Sequence, residues 1–192
     1  MMKNILIPMA NGAEDIELIS IIDVLSRAKQ YGANLNIICA SLEDDLNVEL
    51  DTKMVLKAKV KLSEVDLNSI DAIALAGGFG GMTNLKNSEK IKSILQNLNS
   101  QKKLIAAICA SPIVLDNAGV LSYEFTCYPG CEKGLKGTRL NEPVVVRDNI
   151  ITSAGPITSI YFALTIVREL GFIEQYNGML DGLLVNQFGI KF

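Results

Sequence analysis

The chain has 192 residues, 49% of them hydrophobic and 20% charged, and a formal net charge of −3. An acidic chain with scattered lysines and arginines excludes the electrostatic footprint of a nucleic-acid or anionic-membrane binder. No apolar run is long enough to span a bilayer, and the apolar stretch after Met1-Met2-Lys3-Asn4 is too short for a signal peptide. Four cysteines in a chain of this length do not make a disulfide scaffold, so a reducing cytoplasm is the expected setting. The length fits a single domain over 1–192 with a substantial core.

Lys3 to Pro8 reads as an apolar opening strand, followed by a turn at Asn11-Gly12-Ala13. Glu14 to Tyr31 carries Ile16, Leu18, Ile19, Ile22, Val24 and Leu25 at helical spacing, with Gly32 as the C-cap. Asn34 to Ala40 is a second strand. Asp44 to Val60 holds two short alternating segments that predict a hairpin or small excursion. Leu62 to Leu67 reads as a short helix with Ser63 or Asp66 near its ends. Asp71 to Ala76 is a buried strand that runs into Gly77-Gly78-Phe79-Gly80-Gly81, and Ser88 caps a helix reaching about Leu98. Lys102 to Ile108 is the next strand, and Pro112 suits the first turn of the helix after it. Glu124 to Cys127 reads as a strand. Pro143 to Val146 and Asn149 to Thr152 form a hairpin around Asp148-Asn149. Thr158 to Leu170 and Ile173 to Leu184 are the last helices. This alternation predicts an α/β fold with a mostly parallel sheet covered on both faces, and no linker, repeat or low-complexity segment interrupts it.

In such sheets ligands bind beyond the carboxyl ends of the strands. Three loops leave those ends with chemistry to offer. The most informative carries Cys109, where the apolar run Leu104 to Ile108 turns sharply into the Pro112 helix. This is a nucleophile elbow with Cys in place of Ser. Free backbone N–H groups and a helix N-terminus favour thiolate there. The chain contains no His, so any chemistry at Cys109 proceeds without an imidazole. Glu14 and Asp15 fall in a first helical turn, where carboxylates commonly sit for the dipole alone. Glu17 differs, because its apolar neighbours place it to point partly inward. Burial raises a carboxyl pKa towards the range useful for acid–base work.

Gly77 and Gly78 follow a strand, but Gly-Gly-Phe-Gly-Gly is not a dinucleotide fingerprint. They serve a tight turn or a close backbone approach with N–H groups facing an oxyanion. Tyr128, Ser153 and Thr158 are the kind of residue that usually packs. Cys39 reads as a core cysteine. Cys127 and Cys131 lie near a loop and are expected to be the more exposed pair, with no cation to activate them. Lacking His or a second cysteine pair, they do not read as a zinc site. Neither a metal nor a nucleotide cofactor is expected.

Four ordered segments carry a family resemblance across nearly the whole chain: Asn11-Gly12-Ala13-Glu14-Asp15-Ile16-Glu17, Leu75-Ala76-Gly77-Gly78, Ala106-Ala107-Ile108-Cys109-Ala110-Ser111-Pro112, and Thr152-Ser153-Ala154-Gly155-Pro156-Ile157-Thr158-Ser159. The chain resembles the ThiJ/PfpI superfamily in its DJ-one-like branch. The resemblance implies a flavodoxin-like three-layer sandwich, usually a homodimer. It implies an oxidation-prone Cys109 hydrogen-bonded to Glu17, an oxyanion hole from the Gly78 and Ala110 amides, and a pocket near Glu14, Gly77, Tyr128 and Ala154. The activities it implies are cofactor-free glyoxalase or deglycase action on reactive carbonyls such as methylglyoxal or glycated adducts. The alternative is a redox sensor or redox-regulated chaperone switched at Cys109. Tyr128 stands where a His can lie in this branch, and Ala154 where an Arg can precede the late Gly-Pro. Ala110 stands where the peptidase branch has His, which excludes Cys–His peptidase or amidotransferase chemistry. Carbonyl chemistry without an imidazole is expected to be slow.

Overall fold

The computed structural model describes residues 1–191. Strand β1 (Lys3–Met9) leads to helix α1 (Asp15–Gln30), β2 (Leu35–Ser41) and the hairpin β3 (Asn47–Glu49) and β4 (Val55–Lys57). A short β5 (Val60–Lys61) precedes β6 (Ala72–Leu75), α2 (Phe79–Lys86), α3 (Glu89–Ser100), β7 (Leu104–Ile108) and α4 (Pro112–Asn117). The rest is β8 (Glu124–Phe125), β9 (Thr138–Arg139), β10 (Val144–Arg147), β11 (Ile150–Ser153), α5 (Ser159–Glu169) and α6 (Ile173–Gly182).

Local chemistry sets the ends of these elements. The Glu14 carboxylate accepts the Glu17 N–H and caps α1. At the other end, Gly32 N–H donates to the Lys29 carbonyl and Ala33 N–H to the Ala28 carbonyl, a Schellman closure. Ser88 caps α3 by accepting the Ile91 N–H. Two expectations fail here. Instead of one helix over Leu62 to Leu67 there are two 3-10 turns, Leu62–Glu64 and Leu67–Ser69. Val65 is extended between them, and Asp66 accepts the Asn68 N–H to start the second turn. Helix α2 is not expected from the sequence, because its first turn carries Gly80 and Gly81 and glycine is a poor helix former. Packing overrides that preference. The Gly81 N–H donates to the Gly12 carbonyl at 2.8 Å, and a Cβ on Gly81 would lie 2.8 Å from the Ala13 Cα.

The main sheet runs β10-β11-β7-β6-β1-β2-β5. Its neighbours are parallel except the β10–β11 hairpin. This is the α/β, mostly parallel, flavodoxin-like architecture expected. Strand order reverses between β1 and β6, which marks the crevice where such sheets bind ligands. The period-2 alternation of the strands divides the core in two. Ile5, Ile7, Ala72, Ala74, Ala106 and Ile108 face the layer of α1, α5 and α6. Leu6, Ile73, Leu75, Ile105 and Ala107 face the layer of α2, α3 and α4. The alanines on the first face let α1 and α5 approach closely. Full burial of Leu18, Ile21 and Leu25 contributes about 1.5–3 kcal/mol each to anchoring α1. That anchoring holds Glu17 in place.

Candidate active site

Glu17 lies in the first turn of α1, behind the carboxyl end of β1, and is completely buried. Its Oε2 accepts the Gly77 N–H at 2.7 Å. Its Oε1 is buried with no hydrogen bond of ordinary geometry, while the Cys109 thiol lies against the carboxyl. Burial pushes the Glu17 pKa up to about 7, against the pull of the Cys109 thiol and the Gly77 amide, and the charge of Glu14 adds to the rise.

Cys109 sits at the junction of β7 and α4 with φ of 63°, a strained value for a residue with a side chain. The turn is pinned from several sides. The Cys109 N–H donates to the Ser153 carbonyl at 2.9 Å, and its carbonyl accepts the Tyr128 N–H at 3.0 Å. The buried Ser111 hydroxyl donates to the Ala76 carbonyl at 2.6 Å, tying the elbow to the loop after β6. The backbone N–H groups of Gly78 and Ala110 point at the sulfur and lower its pKa, but burial and the adjacent Glu17 charge outweigh them and push the thiol up. The simple expectation of a dipole-activated thiolate is therefore incomplete. Helix α4 has only six residues, and the thiol shares its site with a carboxylate.

The glycines at this junction are there for close approach. A Cβ on Gly77 would lie 2.7 Å from both the Cys109 Cβ and Glu17 Oε2. Gly78 has φ of 80°, and a Cβ there would strike the Gly12 carbonyl oxygen and the Glu14 nitrogen. Gly119 provides a control, since it shares a left-handed φ of 72° with nothing near its missing Cβ. Gly119→Ala is expected to cost about 1–2 kcal/mol, the ordinary left-handed penalty. Gly78→Ala should cost at least about 2 kcal/mol more, because backbone cannot move aside as a side-chain tip can. Urea denaturation of the two variants checks this; equal losses would remove the packing argument.

A cavity of about 220 Å³ opens above the thiol, lined by Glu14, Asp51, Gly78, Phe79, Ala110, Tyr128 and Pro156 around Cys109. Of the residues expected at the pocket, Glu14 and Tyr128 line it. Gly77 does not, because it lies beside the Cys109 Cβ and the Glu17 carboxyl. Ala154 does not either; its N–H donates to the Pro143 carbonyl at 3.1 Å. Sequence reasoning missed Asp51, Phe79 and Pro156. Asp51 reaches the cavity because the β3–β4 hairpin folds over the first loop: its N–H donates to the Ala13 carbonyl and Gly12 N–H to the Glu49 carbonyl. Ser153 and Thr158 pack as expected, with their hydroxyls 2.6 Å apart. Cys127 and Cys131 depart from expectation, since both are buried, and Arg139 stands beside Cys127. The β8–β9 pairing closes the loop that contains them.

The model of the DJ-1/PfpI family matches residues 3–169. The chain belongs to the DJ-1/PfpI family. A crystal structure of Drosophila melanogaster DJ-1beta is similar to it with a TM-score of 0.89 and 34% identity, covering 96% of this chain and 98% of that one. Protein DJ-1 homolog B of Arabidopsis thaliana is 39% identical over 95% of the chain, which spans only 40% of that longer protein. A Caenorhabditis elegans relative named glutathione-independent glyoxalase DJR-1.2 is 34% identical, with 89% of this chain and 90% of the relative covered. Among the described residues, no helix is long and apolar enough to cross a membrane.

Proposed function

We propose that this chain is a cofactor-independent glyoxalase or deglycase acting on small reactive carbonyls, with Cys109 as nucleophile and Glu17 as proton carrier. The observation that carries the reading is the pairing of a buried carboxyl, its pKa pushed up to about 7, with a thiol that two backbone amides face. The relative named a glutathione-independent glyoxalase supports the reaction class.

With methylglyoxal the steps balance without an external oxidant. The proton of the Cys109 thiol passes to the Glu17 carboxylate as sulfur adds to the aldehyde carbon. Glu17 then protonates the new alkoxide, completing a hemithioacetal. The Glu17 carboxylate next takes the proton from the former aldehyde carbon, giving an enediolate; the hydroxyl proton on that carbon passes to the neighbouring oxygen, and Glu17 returns its proton to the neighbouring carbon. The product is a thioester of lactate. Water hydrolyses it, releasing lactate and restoring the thiol. The Gly78 and Ala110 amides hold the negative charge that develops on oxygen, the role of an oxyanion hole. A single placed acid–base group supplies about 10²–10⁴-fold, and no imidazole adds to it, so turnover is slow.

Lactate release from methylglyoxal tests the proposal. Wild type should produce lactate catalytically, and Cys109→Ala should fall to the level of buffer with a matched free thiol. Equal lactate from both proteins would end the enzymatic reading. A second reading rests on the missing imidazole: a redox sensor in which oxidation of Cys109, rather than turnover, is the functional event.

A further inference from the structure

The cavity over Cys109 holds an imbalance of charge. Among its described lining residues are two carboxylates, Glu14 and Asp51, and no lysine or arginine. Glu14 uses one oxygen to accept the Glu17 N–H at 2.7 Å and lines the cavity. The Asp51 N–H donates to the Ala13 carbonyl, so the hairpin turn holds this exposed residue at the rim of the cavity. Lys53 pairs chiefly with Glu49 at 3.0 Å, with a weaker pull from Asp51, and the Arg139 Nε donates to the Cys127 carbonyl at 3.0 Å. Behind Cys109, the buried Glu17 carboxyl lies against the thiol and adds a third carboxyl to the site. A ligand in a cavity of about 220 Å³ meets these charges at short range.

Building on the carbonyl reading of this site, we infer that Glu14 and Asp51 make it charge-selective. It admits uncharged and cationic carbonyl compounds and rejects anionic ones such as 2-oxo acids and sugar phosphates. Asp51 is a specificity-determining residue that does not touch the reacting atoms. The same field favours product release, because the hydroxy acid carries a carboxylate that the dicarbonyl lacks.

The test uses two thiol reagents of similar size and opposite charge, 2-(trimethylammonio)ethyl and 2-sulfonatoethyl methanethiosulfonate. Each transfers its thioethyl group to a thiolate and releases methanesulfinate. Rates are counted on the Cys109 peptide by mass spectrometry, and the cation-to-anion rate ratio is compared with that of 2-mercaptoethanol. Taking the ratio within each protein cancels any change in the thiol itself. At low ionic strength the wild-type ratio should exceed the free-thiol ratio by about tenfold, and it should fall towards it at about 1 M salt. Asp51→Asn should cut the excess about threefold. Glu14→Gln, which keeps an oxygen for the Glu17 amide, should also reduce it and serves if Asp51→Asn does not fold. A wild-type ratio equal to that of the free thiol, or a ratio unmoved by neutralising these carboxylates, overturns the inference. A raised ratio in a protein that makes no lactate sustains the inference and removes the enzymatic reading.

Discussion

Glu17→Gln is expected to lower lactate formation from methylglyoxal by about 10²- to 10⁴-fold, the usual contribution of a placed acid–base group. The substitution is nearly isosteric. Its carbonyl oxygen can still accept the Gly77 N–H that Oε2 accepts in the wild type. It cannot carry a proton between the two carbons of the substrate. Both the thiol addition and the isomerisation that Glu17 assists should therefore slow, and lactate release should fall with them. A Gln variant with wild-type lactate production would rule out the proton-carrier role.

Two pH signatures accompany this result. Activity needs one proton to have left the Glu17–Cys109 pair, so kcat/KM should rise through an apparent pKa near 7. Stability should move the other way. Between the ordinary value of 4.5 and about 7, Glu17 keeps its proton in the folded protein and loses it in the unfolded chain. The folded state then binds more protons, so stability falls as pH rises across that window. The loss attributable to Glu17 is roughly 3 kcal/mol. Urea midpoints of wild type and Glu17→Gln, measured from pH 4 to pH 8, should diverge with that sign.

Mild peroxide is expected to convert Cys109 before Cys39, Cys127 or Cys131, and to stop largely at sulfinate. Burial pushes all of these thiols up, so pKa alone does not select among them. What sets Cys109 apart is access together with stabilisation of the product. It lines a cavity that admits peroxide, and two backbone amides face its sulfur. Cys127 is fully buried, and its pKa is pushed up to about 12 by burial, Cys131 and Glu132, with Arg139 pulling back. One peroxide takes the thiolate to sulfenate with loss of water, and a second takes it to sulfinate. A protonated Glu17 can then donate a charge-assisted hydrogen bond to a sulfinate oxygen. Peptide mass spectrometry over a peroxide series decides the matter. Earlier oxidation of Cys127 or Cys131 would defeat the selectivity argument. If Cys109 reacts first but Glu17→Leu yields the same product spread, selectivity stands and the hydrogen bond to sulfinate does not.

Features whose causes lie within a few residues can be read directly from the chain. The apolar run that forms β1, the helical spacing over Glu14 to Tyr31, the Ser88 cap and the Asp148-Asn149 hairpin turn are all legible locally. So is the elbow, because an apolar strand followed by Cys109 and Pro112 allows little else. The family motifs pointed to Glu17, Gly78 and Ala110 by their separate positions along the chain. How these pieces meet depends on the assembled fold. Strand order brings the ends of β1, β6 and β7 together, and Glu17 meets Cys109 only because Gly77 between them has no side chain. Helix α2 was illegible because its glycines oppose helix locally and are repaid by contact with Gly12 and Ala13. Asp51 carries no local sign of function; a hairpin folded over a distant loop puts it in the cavity. The burial of Cys127 and Cys131 likewise follows from a β8–β9 pairing between segments separated by a glycine-rich loop. Capping and periodicity act over a turn or two of chain, whereas burial, charge and pKa at the site arise from neighbours brought close only once the sheet is assembled.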